Sequence, residues 1–266
     1  MTNEILVLGG TGKTGRRVAQ RLRDAGVPVR AVSRSSDRPF DWTDRATWAS
    51  TLTGVRSAYV TFQPDLAVPG APATIQAFTD LAVREGVTRL VLLSGRGEEE
   101  AAVCERIVRS AGVEATVLRS SWFNQNFSED YLLEPVLAGE VALPVADVPE
   151  PFVDADDIAD VAVKALTEDG HDGKVYELTG PRLLTFADAT AEIATATGRD
   201  ITFVQVPAAD YAAQLPPEIA DLLMYLFTTV LDGRNAHLTD DVHRVLGRPP
   251  RDFADYAKDT AAAWKV

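Results

Sequence analysis

The segment that most constrains the fold of this chain is a short apolar run followed at once by closely spaced glycines. Residues 4–8 (EILVL) are almost wholly apolar, as in a strand buried on both faces of a parallel sheet. Gly9, Gly12 and Gly15 follow in the spacing G-x-x-G-x-x-G, and residues 16–24 then carry apolar side chains at helical spacing. This order predicts the opening β-turn-α unit of an α/β fold.

Glycine at these three positions meets three needs of a dinucleotide site. The turn must be tight, the backbone must approach a pyrophosphate closely, and the helix must pack closely on the strand. The following helix N-terminus offers N–H groups and the positive end of its dipole to the phosphates. A triphosphate-binding P-loop, which Gly12-Lys13-Thr14 resembles, would need a glycine five residues before Gly12, where this chain has Val7.

The end of the second strand, over 29–32, indicates which dinucleotide is bound. Sites that prefer NAD(H) usually place an acidic residue here to bind the ribose 2′-hydroxyl. This chain has Ser33 and Arg34, with Arg38 nearby and no carboxylate before Asp37. A hydroxyl and a guanidinium suit a 2′-phosphate, so we expect NADP(H) rather than NAD(H). In the alternative, Arg34 is only a solvated loop residue.

Strands and helices alternate along the first 120 residues, which predicts right-handed βαβ units and an α/β fold with a Rossmann-type doubly wound parallel sheet. The alternation loosens afterwards, so we expect a smaller C-terminal α/β cap. Residues 1–266 are interpreted as one domain, with a nucleotide-binding part over about 1–150 and a substrate part over about 151–266. Thr185 and Asp188 have the spacing of a capping box at the start of a helix.

The charge distribution points to a small anionic ligand and not to nucleic acid. The net charge is −13, whereas phosphate backbones are bound by basic surfaces. Residues 1–60 nevertheless carry 10 Lys and Arg against 5 Asp and Glu, while the rest carries 16 against 34. The basic island suits a phosphorylated ligand, unless the arginines cluster by chance. The single cysteine, Cys104, and the lack of a leader or membrane span predict a cytoplasmic protein, either monomer or homodimer, with a small-molecule substrate and no membrane partner.

The usual proton donor for carbonyl reduction in this fold class, Tyr-x-x-x-Lys, is absent. None of the six tyrosines has a lysine four residues later, and no lysine occurs between Lys13 and Lys164. Two interpretations follow. The chain reduces an acceptor that scarcely needs an acid, such as an iminium or a quinone, or it binds the cofactor without turnover as a sensor or scaffold.

Other candidate residues follow the ends of later predicted strands. Ser94 can bond nicotinamide or substrate, or simply end its strand. Residues 121–127 (SWFNQNF) mix aromatic and amide side chains, as a pocket wall or a packed core does. The apolar helix around 222–227 caps a pocket, packs in the core or forms a dimer face. Three carboxylates at the start of another helix suit capping better than a metal, and the histidines lack ligand spacing, so we expect no metal site; these residues are Asp154, Asp156, Asp157, His171, His237 and His243.

The motifs together resemble the NmrA-like branch of the atypical short-chain dehydrogenases. The resemblance rests on the glycine loop and on "VRAVSR", "FDWTDRATW", "VTRLVLLSG", "AGVEATVLRSSWFNQNF" and "PFVDADDIADVAVKAL", and it covers most of the chain. It is strongest to bacterial proteins similar to the festuclavine and agroclavine dehydrogenases, which reduce iminium intermediates with NADPH. The branch also includes regulatory cofactor sensors.

This resemblance implies a set of site residues. Gly9, Thr11, Gly12, Lys13, Thr14 and Gly15 would hold the pyrophosphate, Ser33 and Arg34 the 2′-phosphate, Asp41 and Trp42 the adenine, and Thr61, Phe62 and Gln63 the ribose and nicotinamide. Ser94 would be catalytic, and Trp122, Phe123 and Asn124 would bind substrate. Many relatives keep a lysine shortly after "LLSG", where this chain has Glu98-Glu99-Glu100-Ala101, which places acid-assisted reduction in doubt.

Overall fold

The computed structural model describes residues 4–265 of the chain, and the side chain of residue 218 is left undescribed. Met1, Thr2 and Asn3, on which the expectation of no leader partly depends, lie outside the described residues. Within them, no helix is long and apolar enough to cross a membrane.

Eight strands and twelve helices make up the described part of the chain. The strands are β1 (Glu4–Leu8), β2 (Val29–Val32), β3 (Val55–Val60), β4 (Arg89–Gly95), β5 (Glu114–Ser120), β6 (Glu140–Leu143), β7 (Val175–Leu178) and β8 (Thr202–Gln205). The helices are α1 (Lys13–Asp24), α2 (Trp48–Leu52), α3 (Ala71–Arg84), α4 (Glu99–Arg109), α5 (Asn126–Glu129), α6 (Leu133–Ala138), α7 (Ala155–Thr167), α8 (Phe186–Thr197), α9 (Ala208–Ala212), α10 (Pro217–Tyr225), α11 (Asp241–Leu246) and α12 (Phe253–Thr260).

The larger sheet confirms the predicted α/β class. Its six strands run in the order β2-β1-β3-β4-β5-β7, and the pairings of β1 with β2 and β3, of β3 with β4 and of β4 with β5 are all parallel. Because β2 and β3 lie on opposite sides of β1, the chain reverses direction across the sheet at β1 and β3. In doubly wound sheets, ligands bind outside the carboxyl ends of the strands at this reversal.

The chain contacts divide the molecule into two compact units. The first comprises the residues through Ser120 together with Ala155–Glu177 and Arg244–Leu246, and the second comprises Ser121–Asp154, Leu178–His243 and the residues from Gly247 onward. The expected boundary near residue 150 does not coincide with this division, because α7 returns to pack on α1 and β7 extends the large sheet.

The second unit is built around the two-stranded parallel sheet of β6 and β8 and an aromatic core. The capping box at α8 is confirmed: the Asp188 N–H donates to Thr185 Oγ1 at 3.0 Å, and the Thr185 N–H donates to Asp188 Oδ2 at 2.9 Å. The sequence pattern did not predict β6, α5, α6 or α9. These elements are only four to six residues long, too short to show a clear period.

The glycine turn allows α1 to lie directly against the end of β1. A Cβ added at position 15 would lie 2.7 Å from the carbonyl carbon of Gly9 and closer still to its oxygen. Both are backbone atoms that cannot move aside. Gly9 itself has a φ of +64°, which favours glycine, and its α-carbon lies against Thr61 Oγ1.

Ion pairs join α1 to α7 within the first unit. Arg21 bonds Asp160 through Nε at 2.5 Å and Asp156 through Nη2 at 2.7 Å, and Arg17 Nε lies 3.3 Å from Asp156. Burial alone would raise the pKa of Asp156, but hydrogen bonds and charge from Arg21 and Arg17 outweigh it, so the pKa is lowered. The carboxylates after the segment "PFVD" therefore have structural partners.

We expect Gly15→Ala to lower the free energy of unfolding by about 1–3 kcal/mol, because the added methyl forces α1 away from β1. Urea unfolding of the purified protein measures this loss. The matched control is Gly12→Ala, whose Cβ would meet only the Gly9 carbonyl oxygen at 3.2 Å. Equal losses in the two variants would contradict this account of helix packing.

The ion pairs predict a stability contribution that depends on pH. Because the pKa of Asp156 is lowered in the folded state, its contribution is complete above the unfolded value near 4 and is lost as the pH falls through the lowered folded value. Asp156→Asn should therefore destabilise the protein at pH 7, by less than about 1 kcal/mol since the pair is partly solvated, and should have a smaller effect at pH 3. Urea unfolding at both pH values tests this. Asp255→Asn, which removes a fully solvated pair with Lys258, should be neutral, and an equal effect of Asp156→Asn at both pH values would refute the linkage.

Candidate cofactor-binding site

The glycine loop forms an open backbone cradle at the carboxyl end of β1. The Gly10 N–H donates to the Val32 carbonyl at 2.9 Å and the Gly12 N–H to the Gly9 carbonyl at 2.8 Å, which fixes the turn. A Cβ at position 12 would meet nothing but that carbonyl, so one side of the loop is open to a ligand. Helix α1 begins at this loop with no side-chain cap and no acidic residue in its first turn. A loop of this shape and charge fits a diphosphate.

The residues expected at the 2′-phosphate lie in the loop after β2. The Ser33 hydroxyl is 3.2 Å from the Ser35 hydroxyl and accepts a hydrogen bond from the Ser35 N–H at 3.3 Å. Arg34 and Arg38 are exposed, and neither forms an ion pair with another described residue. The guanidinium of Arg34 helps to lower the pKa of Asp41, chiefly lowered by hydrogen bonds from Thr43. The loop therefore carries positive charge that is not held in an ion pair with another described residue.

The residues expected at the adenine and nicotinamide lie around an aromatic cluster at the ends of β2 and β3. The Trp42 indole N–H donates to the Thr61 carbonyl at 3.0 Å, and its ring packs against Phe40, Phe62 and Phe78 at centroid distances of 4.9–5.1 Å. Thr61 Oγ1 in turn donates to the Leu8 carbonyl at 3.2 Å. Gln63 is exposed. These contacts hold the ends of β1 and β3 together beside the cradle, and the ligand roles of these residues remain predictions.

Ser94, expected to be catalytic, is buried and has a structural partner. Its hydroxyl donates to Glu105 Oε1 at 2.7 Å, and Arg119 holds the same carboxylate through Nε at 2.8 Å and Nη2 at 2.6 Å. The hydrogen bonds that Arg119 donates to Glu105 raise the pKa of Arg119. Since its proton is donated to a carboxylate, Ser94 has only acceptor capacity left for a ligand.

The residues expected to bind substrate belong to the second unit. The Trp122 ring stacks on Phe227 at 5.2 Å and meets Phe186 edge-on at 5.3 Å. The backbone of Phe123 forms an isolated β-bridge with that of Val153. The Asn124 side chain is fully buried, and neither its amide oxygen nor its nitrogen has a hydrogen-bond partner among the described residues. Trp122 therefore packs partly in the core. Asn124 is a buried polar residue whose side-chain amide has no hydrogen-bond partner among the described residues.

The apolar helix expected around 222–227 is interrupted. It runs as α10 to Tyr225 and continues as a π-helical turn over Leu226–Val230. Phe227 is buried at the centre of the aromatic cluster, whereas residues 222–226 are partly exposed. A partly exposed apolar helix therefore lies beside a buried aromatic ring. This arrangement is compatible with a pocket cap, with core packing and with a dimer interface.

Asp154, one of the carboxylates considered as metal ligands, has two side-chain partners. Asp154 accepts from Gln125 Nε2 at 2.8 Å and from Arg251 Nη1 at 3.1 Å. Asp156 and Asp157 lie in the first turn of α7. Over residues 4–265, no three His, Cys, Asp or Glu side chains are grouped as metal ligands.

The sequence did not predict one pair of carboxyl groups. Asp65, in the loop after β3, and Glu98, at the N-cap of α4 after β4, have carboxyl groups that interact with each other, and the pKa of each is raised, chiefly by burial. Their separation by more than thirty residues hides this contact, because only the parallel pairing of β3 with β4 brings the two loops together. The only signal in the sequence is that each carboxylate closely follows the end of a strand.

Comparison with known proteins identifies the family. The model of the NmrA-like family matches residues 99–250. Agroclavine dehydrogenase of Claviceps fusiformis is 32% identical over 283 residues, which cover 98% of each chain. Two solved structures share the fold: the NADPH-dependent quinone oxidoreductase of Escherichia coli in complex with NADPH (TM-score 0.81, 23% identity, 96% and 99% of the two chains covered) and NmrA, a negative transcriptional regulator, in complex with NAD (TM-score 0.74, 17% identity, 97% and 95% covered). The chain therefore belongs to the NmrA-like family of atypical short-chain dehydrogenases and has its Rossmann-type fold.

Proposed function

We propose that the protein is an NADP(H)-dependent oxidoreductase that transfers hydride to a small planar electrophile, an iminium or a quinone, without a Tyr-x-x-x-Lys acid. The observation that carries this proposal is the open backbone cradle at Gly12, at the start of an uncapped helix and beside a strand reversal. A cytoplasmic location belongs to the same proposal, as does a monomeric or homodimeric state.

The first unit binds the cofactor in this proposal. The loop from Gly9 to Gly15 holds the pyrophosphate, with Thr11, Lys13 and Thr14 at its rim. Ser33 and the exposed Arg34 bind the 2′-phosphate, since no carboxylate lies where a ribose diol would need one. Asp41 and Trp42 lie by the adenine, and Thr61, Phe62 and Gln63 by the ribose and nicotinamide. When bound, the reduced nicotinamide supplies the hydride.

The second unit supplies the surface for a flat acceptor. Trp122, Tyr131 and Tyr211 are each partly exposed and surround Phe227, with centroid distances of 5.2, 6.3 and 5.7 Å. Aromatic faces favour planar ligands. We assign the polar edge of the substrate to Asn124, whose buried amide has an unmet hydrogen-bonding capacity, and place Phe123 beside it.

Ser94 is proposed to position the ligand as a hydrogen-bond acceptor, because its own proton is donated to Glu105. This arrangement suits acceptors that need little help from an acid. An iminium becomes a neutral amine when it accepts hydride at carbon, so no oxyanion forms. Positioning of the acceptor then accounts for most of the rate.

A catalytically silent cofactor sensor is the second candidate, favoured by the structural likeness to the regulator NmrA in complex with NAD. The two candidates differ in turnover and not in cofactor binding. A sensor binds the dinucleotide and consumes none of it.

We expect NADPH oxidation when the protein is mixed with members of a panel of cyclic iminiums and quinones, with simple ketones reduced more slowly. Absorbance of NADPH measures the rates. Tight NADPH binding with no turnover on the whole panel would favour the sensor. Fast reduction of simple ketones alone would contradict the argument from the missing Tyr-x-x-x-Lys.

We expect Arg34→Gln to weaken NADPH binding by about 10- to 100-fold, since a charge-assisted hydrogen bond contributes about 1.5–3 kcal/mol. NADH binding should be nearly unchanged. Titration by tryptophan fluorescence quenching measures both affinities. Arg23→Gln, which removes a charge from the last turn of α1, is the matched control. Tighter binding of NADH than of NADPH by the wild type would overturn the assignment.

A further inference from the structure

We propose that the Asp65–Glu98 pair holds one proton between its two carboxyl groups at neutral pH and that Glu98 donates it to the reduced substrate. The inference rests on the proposed function and deepens it: the chain has an acid, although not the usual one. It gives quinones, whose reduction leaves a negative oxygen, a proton donor, and it extends the acceptors to carbonyl compounds.

The position of the pair is defined by the sheet. Asp65 lies five residues beyond the end of β3 and Glu98 three residues beyond the end of β4, so both follow the carboxyl ends of adjacent parallel strands. That edge is where ligands of doubly wound sheets bind. Strand β3 pairs with β4 on one side and with β1 on the other, so the two loops lie next to the strand reversal at β1 and β3.

The side chain of Glu98 is turned toward the interior of the first unit. Glu98 is the N-cap residue of α4, but its side chain makes no capping hydrogen bond. Its carboxyl lies instead against the α-carbon of Gly95, where an added Cβ would come within 2.5 Å of Oε2 and nearer to Oε1. Glu98 Oε2 is fully shielded from solvent. Any side chain larger than hydrogen at position 95 would expel this carboxyl.

Two carboxyl groups form a hydrogen bond only when one is protonated. The Ala67 N–H donates to Asp65 Oδ1 at 2.8 Å, which stabilises Asp65 as the ionised partner and leaves the proton on Glu98. Burial raises the pKa of both residues, and the Asp65 and Glu105 carboxylates raise that of Glu98 further, well above its ordinary value. The nearby guanidinium groups bind other carboxylates: Arg119 holds Glu105, and Arg96 lies 3.2 Å from Glu177.

A second buried polar group lies on the same face of the sheet. Ser120 ends β5 and pairs in register with Gly95, so the side-chain positions of the two residues share a face. The Ser120 side chain is 5% exposed, and its hydroxyl has no hydrogen-bond partner among the described residues. An unpaired hydroxyl on the same face of the sheet as a protonated carboxyl is suited to a substrate oxygen, which needs both a proton donor and a hydrogen bond.

The proposed step balances as follows. The hydride that a bound reduced nicotinamide would supply, with the electron pair of its C–H bond, forms a bond to the acceptor, so the nicotinamide would be oxidised and the acceptor reduced. The π pair of the C=O or quinone group moves to oxygen. The Glu98 O–H bond breaks as the new O–H bond forms, so the alcohol or hydroquinone leaves neutral. Glu98 is left as a carboxylate beside that of Asp65. Their repulsion favours rapid uptake of a proton from water, which restores the acid.

The test joins infrared spectroscopy of the cofactor-free protein to steady-state rates. The wild type at pH 7 should show the C=O stretch of a protonated carboxylic acid that Glu98→Gln lacks and the matched control Glu100→Gln, at an exposed site in the first turn of α4, retains. Asp65→Asn should move the midpoint of that band to lower pH, because a like charge is removed. Absence of the band from the wild type would overturn the proposal.

The rates separate this inference from the proposed function. Glu98→Gln should reduce quinone or ketone turnover by about 10²-fold or more, with iminium turnover and NADPH affinity nearly unchanged. An equal loss for iminium and quinone, or no loss for either, would refute proton donation and leave the oxidoreductase intact. Wild-type turnover of iminiums alone would do the same. No turnover on any acceptor would refute both proposals, whatever the infrared band shows.

Discussion

The close approach of α1 to the end of β1 is the constraint on which the first unit depends. With hydrogen at position 15, the first turn of α1 lies against the Gly9 carbonyl group, where no other residue type leaves room. The helix therefore begins at the carboxyl edge of the sheet with its N-terminus at the glycine loop. Thr61 joins the end of β3 to the same point through the Leu8 carbonyl. This close contact between α1 and β1 places the uncapped start of α1 and the open glycine loop at the strand reversal.

Two buried glutamates near the carboxyl edge of the large sheet have different roles because their surroundings differ. Glu105 is 2% exposed but receives hydrogen bonds from Arg119 and Ser94, so its charge is compensated within the first unit. Glu98 faces the Asp65 carboxylate and, among the described residues, is not paired with a guanidinium, so burial favours its neutral form. The first arrangement holds β4, β5 and α4 together, whereas the second is the pair that we propose holds a proton.

The second unit depends on aromatic packing around Phe227. Trp122, Tyr131, Phe186 and Tyr211 all contact this ring, and three of the four remain partly exposed. A partly exposed aromatic cluster costs free energy in water, and a planar ligand recovers that cost by covering it.

The sequence by itself determined the strand, glycine turn and helix of the first 25 residues, the α/β class, the α8 capping box and the family, because each depends on local spacing or on motifs. The short elements β6, α5 and α6 and the return of α7 to the first unit were decided only in three dimensions. The same holds for Ser94, whose proton goes to a glutamate eleven residues away, and for Asp65 with Glu98. Parallel strand pairing brings together loops that are distant in the chain. Burial where they meet raises the pKa of both carboxyls, and the Ala67 N–H that donates to Asp65 distinguishes the two.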